Sequence, residues 1–153
     1  MNVYLLRHGE ADWPDWNKPD DERPLTKKGK KEVRKVAKFL ADIEVAPAVI
    51  LSSPLPRALQ TAEIAADALG LKVKKEPALA PGFDKEKLRK LVVDYSPQDI
   101  MIVGHEPDFS TAVATLTGGS VKLSKAGVAL VALAETGLQG QLIWLIPPKI
   151  ATN

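Results

Sequence analysis

Residues Val3–Gly9 read VYLLRHG, a short apolar run that ends in an arginine, a histidine and a glycine. Because the run is rich in strand formers, it predicts a buried strand that ends in a loop. Residues 48–51 (AVIL) and 100–103 (IMIV) are runs of the same kind. Segments with helical spacing of apolar residues stand between the runs. This alternation predicts a mainly parallel sheet with helices on both faces.

Local signals predict where the helices begin. Thr26 suits an N-cap, because its hydroxyl can accept a hydrogen bond from a backbone N–H of the first turn. Ser53 is predicted as the N-cap of the next helix, with Pro54 at its first helical position. Apolar spacing predicts two more helices, at residues 84–95 and 108–116. Each predicted helix follows a predicted strand or its loop.

The remaining strands define the edges of the sheet. Residues 71–75 alternate apolar with polar side chains, which predicts a strand near an edge. Residues 127–133 and 142–146 are joined by a glycine-containing segment that fits a hairpin, and a pair of prolines at 147–148 closes the fold. We therefore expect residues 1–153 to form an α/β single-domain three-layer sandwich, with a mainly parallel central sheet and an antiparallel C-terminal edge.

Composition narrows the class of protein. The chain has 153 residues, 45% of them apolar and 26% charged, which is typical of a folded globular domain. With 21 basic and 19 acidic residues, the net charge of +2 does not indicate a nucleic-acid binder. The absence of cysteine excludes disulfides and a thiol nucleophile. No secretory signal and no apolar run of roughly 18 residues is present, so we expect a cytoplasmic protein without membrane contact.

The two histidines of the chain each follow an apolar run. Ligands of such sheets bind at the carboxyl ends of the strands, so His8 and His105 should meet Arg7 and Arg57 at one rim. Guanidinium groups repel a metal cation and bind phosphate oxygens in a planar fork. The cluster therefore predicts a phosphoryl-binding site that uses no metal and no cofactor, and Gly9 allows the backbone to approach the ligand closely.

Each side chain of the cluster has a chemical use. One neutral imidazole can attack phosphorus, and the second imidazole, when protonated, stabilises the equatorial oxygens. Arg57 stands in the first turn of a predicted helix, where a cation opposes the helix dipole, so its placement favours an anion nearby.

Several motifs along the chain resemble the histidine phosphatase superfamily. They are RHGE at residues 7–10, PLT at 24–26, SSP at 52–54 with Arg57, and GH at 104–105. Their order and spacing match across nearly the whole chain. The short length and the sequence GHEP at residues 104–107 are similar to the SixA-type phosphohistidine phosphatases, which are relatives of the phosphoglycerate mutases.

The resemblance implies the roles of the four residues. His8 would be the nucleophile that forms a phosphohistidine intermediate, and Arg7, Arg57 and His105 would bind the phosphoryl group. The mutase branch has a glutamate that protonates the leaving alkoxide, and residues 79–82 (LAPG) lack it. Loss of this acid favours P–N over P–O substrates, since an imidazole leaves readily once protonated. Other carboxylates that could replace it are Asp84, Glu10, Asp12 and Glu106.

The leading hypothesis is a metal-independent phosphatase that removes phosphate from phosphohistidine on a protein, such as a histidine-containing phosphocarrier. One alternative is a phosphomonoesterase for a small phosphorylated metabolite. Another is a non-catalytic module that binds phosphorylated ligands. The sequence leaves open whether Trp13 and Trp16 line the substrate entrance or anchor their loop, and whether Arg23 reaches the phosphate or pairs with Asp20 or Asp21.

Overall fold

The computed structural model describes residues 1–151, in which six strands form one sheet. The strands are β1 (Asn2–Arg7), β2 (Val49–Ser52), β3 (Val73–Lys75), β4 (Ile100–Gly104), β5 (Val128–Leu133) and β6 (Gly140–Ile146). The helices are α1 (Lys27–Asp42), α2 (Pro56–Leu69), α3 (Lys85–Tyr95), α4 (Asp108–Thr117) and α5 (Pro148–Ala151). Two short 3₁₀ helices lie at Asp20–Glu22 and Pro77–Leu79.

The strand order is β3-β2-β4-β1-β5-β6. The first four strands are parallel, β5 runs antiparallel to β1, and β6 runs antiparallel to β5. This confirms the mainly parallel sheet with an antiparallel C-terminal edge. In the register, Arg7 pairs with Gly104 and Ser52 pairs with Val103. The carboxyl ends of β1, β4 and β2 are therefore level at one edge of the sheet.

Helices cover both faces of the sheet, which confirms the three-layer sandwich. Side chains of β1 alternate between the two faces, as a pleated strand requires. Tyr4 and Leu6 pack with residues of α1 and α2, whereas Val3 and Leu5 pack with residues of α3 and α4. The central strands are thus buried on both sides, which explains their continuous apolar sequence.

The predicted start of α1 is confirmed, since the Thr26 hydroxyl accepts a hydrogen bond from the N–H of Gly29 at 3.0 Å. The predicted start of α2 is wrong, because Pro56 and not Pro54 is its first residue. The N–H of Ser53 instead donates to the carbonyl of Val103 at 3.0 Å, which extends the pairing of β2 with β4. Both prolines suit a first helical position, and this long-range bond selects the second.

The C-terminal hairpin is present as predicted, with β5 and β6 paired along their length. The proline pair does not end the regular structure, because α5 begins at Pro148 and packs on α1. Within residues 1–151, no helix combines the length and the apolar character that crossing a membrane requires.

Candidate active site

The carboxyl ends of β1, β4 and β2 carry the candidate catalytic side chains. Arg7 ends β1, His8 follows it, His105 follows β4, and Arg57 lies in the first turn of α2. The rings of His8 and His105 have their centroids 5.3 Å apart. His8, His105 and Arg57 are 8%, 3% and 6% exposed. The structure therefore places at one buried site residues that are far apart in the sequence.

A hydrogen bond fixes the tautomer of His8. Its Nδ1 lies 2.7 Å from the carbonyl oxygen of Gly9. A carbonyl oxygen can only accept, so Nδ1 carries the proton and donates it. The Nε2 atom of neutral His8 is then unprotonated, and its lone pair is available for nucleophilic attack.

Ser53 orients the second imidazole. The Ser53 hydroxyl lies 2.8 Å from Nε2 of His105 and accepts a hydrogen bond from the N–H of Leu55 at 3.2 Å. While it accepts from Leu55, the hydroxyl can donate its own proton to Nε2 of His105. That arrangement leaves the ring proton of neutral His105 on Nδ1.

Backbone carbonyls hold the two arginines. Nη1 of Arg7 donates to the carbonyl of Leu123 at 3.0 Å, and Nη1 of Arg57 donates to the carbonyl of Asp20 at 3.1 Å. Among the residues that the structure describes, Nε of Arg7, Nε of Arg57 and Nδ1 of His105 are buried without a hydrogen-bond partner. Buried polar groups without partners are rare in proteins. Three of them in one cluster indicate a site built for a ligand that accepts hydrogen bonds.

Burial makes both imidazoles hard to protonate. It is the main cause that lowers the pKa of His8 to about 4, and the charges of Arg57, Arg7 and Arg23 lower it further, whereas the hydrogen bond to Gly9 opposes the shift. Burial also lowers the pKa of His105 to about 3, and the charges of His8, Arg57 and Arg7 lower it further. Both rings are therefore neutral at pH 7 until an anion enters.

These pKa shifts predict how stability depends on pH. Above pH 6.5 both rings are neutral whether the chain is folded or unfolded. Below pH 6.5 the histidines of the unfolded chain bind protons, whereas buried His8 and His105 of the folded protein do not. The free energy of unfolding therefore falls as the pH drops towards the pKa values of the two rings in the folded protein. With pKa values of about 4 and about 3, each ring is expected to cost about 2 kcal/mol of stability at pH 5.

Urea unfolding at pH 7.5 and pH 5 measures this loss. A His8→Ala variant should lose about half as much between the two pH values as the parent protein does. An equal loss in the parent and in the variant would contradict the assignment of the effect to the buried rings.

The loop after His8 packs closely on α1. A Cβ at Gly9 would lie 2.6 Å from Cγ2 of Val33 in α1, and the N–H of Gly9 donates to the Thr61 hydroxyl of α2 at 3.1 Å. On the facing side, a Cβ at Gly29 would lie 2.2 Å from the carbonyl oxygen of Glu10. Glycine at both positions therefore allows the backbone that carries the nucleophile to lie against the helix.

Comparison with known proteins shows the family of this chain. A family model described as the histidine phosphatase superfamily (branch 1) matches residues 3–81. The phosphohistidine phosphatase SixA of Escherichia coli (strain K12) is 31% identical over 156 residues, covering 97% of this chain and 94% of that protein. This chain belongs to the histidine phosphatase superfamily. Its fold is accordingly that of a histidine phosphatase domain.

Two further proteins are similar to this chain. A structure of the protein histidine phosphatase SixA complexed with tungstate matches this histidine phosphatase fold with a TM-score of 0.85 and 30% identity, covering 98% of this chain and 99% of that one. An uncharacterized chloroplastic protein of Arabidopsis thaliana is 30% identical over 140 residues, or 84% of this chain. The chain spans 64% of the length of that plant relative.

The carboxylates named from the sequence have structural partners in this histidine phosphatase fold. Glu10 accepts a hydrogen bond from the Thr26 hydroxyl at 2.7 Å, and Asp84 caps α3 through the N–H of Lys87 at 3.0 Å. Glu106 accepts from the N–H and the hydroxyl of Ser110 in the first turn of α4. The structure thus engages these three groups in hydrogen bonds at helix starts.

Two other carboxylates lie nearer the arginines. Asp12 forms ion pairs with Lys125 and with Arg23. Oδ2 of Asp20 lies 3.6 Å from Nη2 of Arg57, and sequence reasoning did not single out Asp20 as a site residue. Asp20 stands in a loop with several other acidic residues, so no local signal distinguishes it.

The loop of residues 9–24 is anchored by its own side chains. Nε1 of Trp13 donates to the carbonyl of Pro24 at 2.8 Å, and Nε1 of Trp16 donates to the carbonyl of Pro19 at 3.0 Å. Arg23 pairs with Asp20 at 2.8 Å. Of the interpretations left open by the sequence, the structure shows the Arg23–Asp20 pair. The tryptophan rings do not pin the loop by burial, because Trp13 is 40% exposed and both indole N–H groups bond to carbonyls of the same loop. Within residues 1–151, no group of three or more His, Asp or Glu side chains is arranged to hold a metal ion.

Proposed function

We propose that this protein is a phosphatase that transfers a phosphoryl group first to Nε2 of His8 and then to water. The observation that carries the proposal is the pairing of a neutral imidazole, fixed by the Gly9 carbonyl, with the guanidiniums of buried Arg57 and half-buried Arg7. Neutral His8 has an unprotonated Nε2, and the cluster around it includes the buried Nε–H groups of Arg7 and Arg57, which have no partner among the described residues. Donors arranged around a nucleophile stabilise the charge that gathers on equatorial phosphoryl oxygens.

The first step forms a bond between His8 Nε2 and phosphorus while the bond between phosphorus and the leaving group breaks. The electron pair of the broken bond stays with the leaving group. The His8 ring becomes a phosphoimidazolium, because Nδ1 keeps its proton. The Gly9 carbonyl accepts a hydrogen bond from this proton at 2.7 Å and stabilises the positive ring.

In the second step water attacks phosphorus and the bond to Nε2 breaks. Its electron pair returns to Nε2, so His8 is regenerated as the neutral Nδ1–H tautomer. Both protons of the water leave with the product as dihydrogen phosphate. No acid or base is consumed in this step, which fits a site whose carboxylates Glu10, Asp84 and Glu106 are engaged elsewhere.

We infer that the substrate is phosphohistidine on a protein. When its ring is protonated, phosphohistidine releases a neutral imidazole and requires no general acid, whereas an alkoxide gains a factor of about 10²–10⁴ from one. Similarity to a protein named phosphohistidine phosphatase supports the same substrate class. Among the described residues, the loop of residues 9–24 is the longest segment that follows a strand end. The fold has no longer insertion there to enclose a small metabolite, which favours a side chain that protrudes from a protein.

The charge of the site supports a reaction without metal. Burial is the main cause that lowers the pKa of both histidines, and the positive charges of Arg57 and Arg7 lower it further. The same charges oppose a divalent cation between the rings. We also propose that the reaction takes place in the cytoplasm, because a chain without cysteine does not depend on an oxidising compartment for disulfides.

A substrate panel tests the proposed function. The panel holds one peptide sequence with phosphohistidine or phosphoserine at the same position, and 4-nitrophenyl phosphate as a small ester, each with and without EDTA. We expect kcat/KM for the phosphohistidine peptide to exceed that for the phosphoserine peptide by about 10² or more. EDTA should leave all rates unchanged.

Other outcomes would replace the proposal. Faster turnover of the esters would make the protein a phosphomonoesterase for small metabolites. Oxyanion binding without turnover of any substrate would make it a binding module. Loss of activity in EDTA that is restored by a divalent cation would contradict the metal-independent mechanism.

A further inference from the structure

Asp20 holds a carboxylate at the outer end of Arg57. Its Oδ2 lies 3.6 Å from Nη2 of Arg57, and its backbone carbonyl accepts a hydrogen bond from Nη1 of the same residue at 3.1 Å. The Arg57 side chain is 7% exposed, whereas the Asp20 side chain is 68% exposed. Arg57 therefore spans from the buried imidazoles to the protein surface, and Asp20 stands at the surface end.

Arg23 fixes the position of this carboxylate. Nε of Arg23 donates to Oδ1 of Asp20 at 2.8 Å, and Nη1 of Arg23 donates to the carbonyl of Ala11. The hydrogen bond from Arg23, together with the charge of Arg57, lowers the pKa of the Asp20 carboxyl. Asp20 is thus ionised at neutral pH. Arg23 and Arg57, which contact its carboxylate, also donate hydrogen bonds to backbone carbonyls of the loop.

A fixed negative charge is an unexpected neighbour for a phosphoryl-binding arginine. It repels the dianion that the site binds, and it competes with that dianion for Arg57. An uncharged residue in the same place would bind a phosphate ester better. The carboxylate is therefore best explained by a substrate that brings a positive charge to the same side of the site.

Asp20 borders the same cluster. Its Oδ2 lies 3.6 Å from Nη2 of Arg57, its charge raises the pKa of His105, and its side chain is 68% exposed, so it is open to contact with the part of a protein substrate that lies outside the buried cluster. We propose that Asp20 is the specificity-determining residue of this site and accepts a hydrogen bond from the protonated imidazole ring of a phosphohistidine substrate. This inference rests on the proposed function and adds to it the group that recognises the leaving ring.

The chemistry balances without a proton donor. In the bound substrate one ring nitrogen carries the phosphoryl group and the other carries a proton that faces Asp20. When the P–N bond breaks, its electron pair stays on the leaving nitrogen, and the ring departs as neutral imidazole with the other nitrogen still protonated. Asp20 does not transfer a proton. It stabilises the protonated form of the substrate, in which the P–N bond is weakest.

An Asp20→Asn variant tests the proposal, with Asp21→Asn as the matched control. Asn keeps one oxygen that can accept from Arg23, removes the charge and replaces the second oxygen, which faces Nη2 of Arg57, by an NH2 donor. Asp21 is exposed and neighbours Asp20 in the chain, and its charge also raises the pKa of Arg57, so its variant reports the effect on Arg57 of one lost charge without the contacts of Asp20. The thermal unfolding midpoints of both variants show whether the fold is intact.

We expect Asp20→Asn to lower kcat/KM for the phosphohistidine peptide about tenfold. Its kcat/KM for the phosphoserine peptide of the same sequence should stay unchanged or rise. The control should leave the ratio of the two values within about twofold of the parent ratio.

Equal changes of both values in Asp20→Asn, in either direction, would overturn the proposal and would leave Asp20 as a competitor of phosphate or a loop anchor. The same shift of the ratio in the Asp21 control would also overturn it. The parent protein alone decides the proposed function, through its rates on the two peptides. A failure of the Asp20 proposal is therefore distinguishable from a failure of the proposed function.

Discussion

Replacing His8 with alanine is expected to lower kcat by a factor of about 10⁴–10⁶, the range that follows loss of an enzyme nucleophile. The variant lacks the Nε2 lone pair, and no second imidazole replaces it, because His105 has its own Nε2 engaged by Ser53 at 2.8 Å. Turnover of the phosphohistidine peptide measures the loss. The variant should still fold, since it removes a buried polar ring and leaves the strand β1 unchanged.

Binding of inorganic tungstate to the variant serves as the control. Arg7, Arg57 and His105 remain in His8→Ala, so the anion should still bind, with a Kd within about tenfold of that of the parent protein. Retained binding with lost turnover separates the nucleophile from the binding groups. Full activity of a well-folded variant would refute the role of His8.

Arg57→Lys is expected to lower kcat/KM by a factor of about 10²–10³, even though the positive charge is kept. Lysine has no planar fork, so it loses the paired hydrogen bonds that a guanidinium makes with two phosphoryl oxygens. Arg57 is also held between the buried site and the carbonyl of Asp20, and a lysine ammonium does not fill both ends of that space.

Arg34→Lys is the matched control for this substitution. Arg34 is exposed on α1, and the change should alter kcat/KM less than about twofold. A similarly small effect in Arg57→Lys would show that charge alone suffices at this position. The paired hydrogen bonds of the Arg57 guanidinium would then not be required for phosphoryl binding.

Much of the fold follows from local sequence patterns. Apolar runs that face helices on both sides predict the central strands, and Thr26 predicts the start of α1 because an N-cap acts within one turn. The start of α2 could not be predicted in the same way. Two prolines compete for it, and the choice depends on the bond from Ser53 to Val103, which is 50 residues away in sequence.

Part of the site also follows from the sequence. The positions of His8 and His105 follow from the rule that parallel strands end at one edge, and the structure places the rings side by side. The contacts that hold the two arginines were not predictable. Arg7 binds the Leu123 carbonyl and Arg57 binds Asp20, contacts that depend on how distant loops fold over the sheet.

The central claim is that Nε2 of His8 carries the phosphoryl group during turnover. Rapid mixing with the phosphohistidine peptide, an alkaline quench and intact-mass analysis test it most directly, followed by mapping of the modified peptide. We predict one acid-labile phosphoryl group, located on the peptide that contains His8, within the first turnover and none in His8→Ala. Turnover at the full rate with no adduct at any mixing time, or an adduct on another residue, would contradict the account.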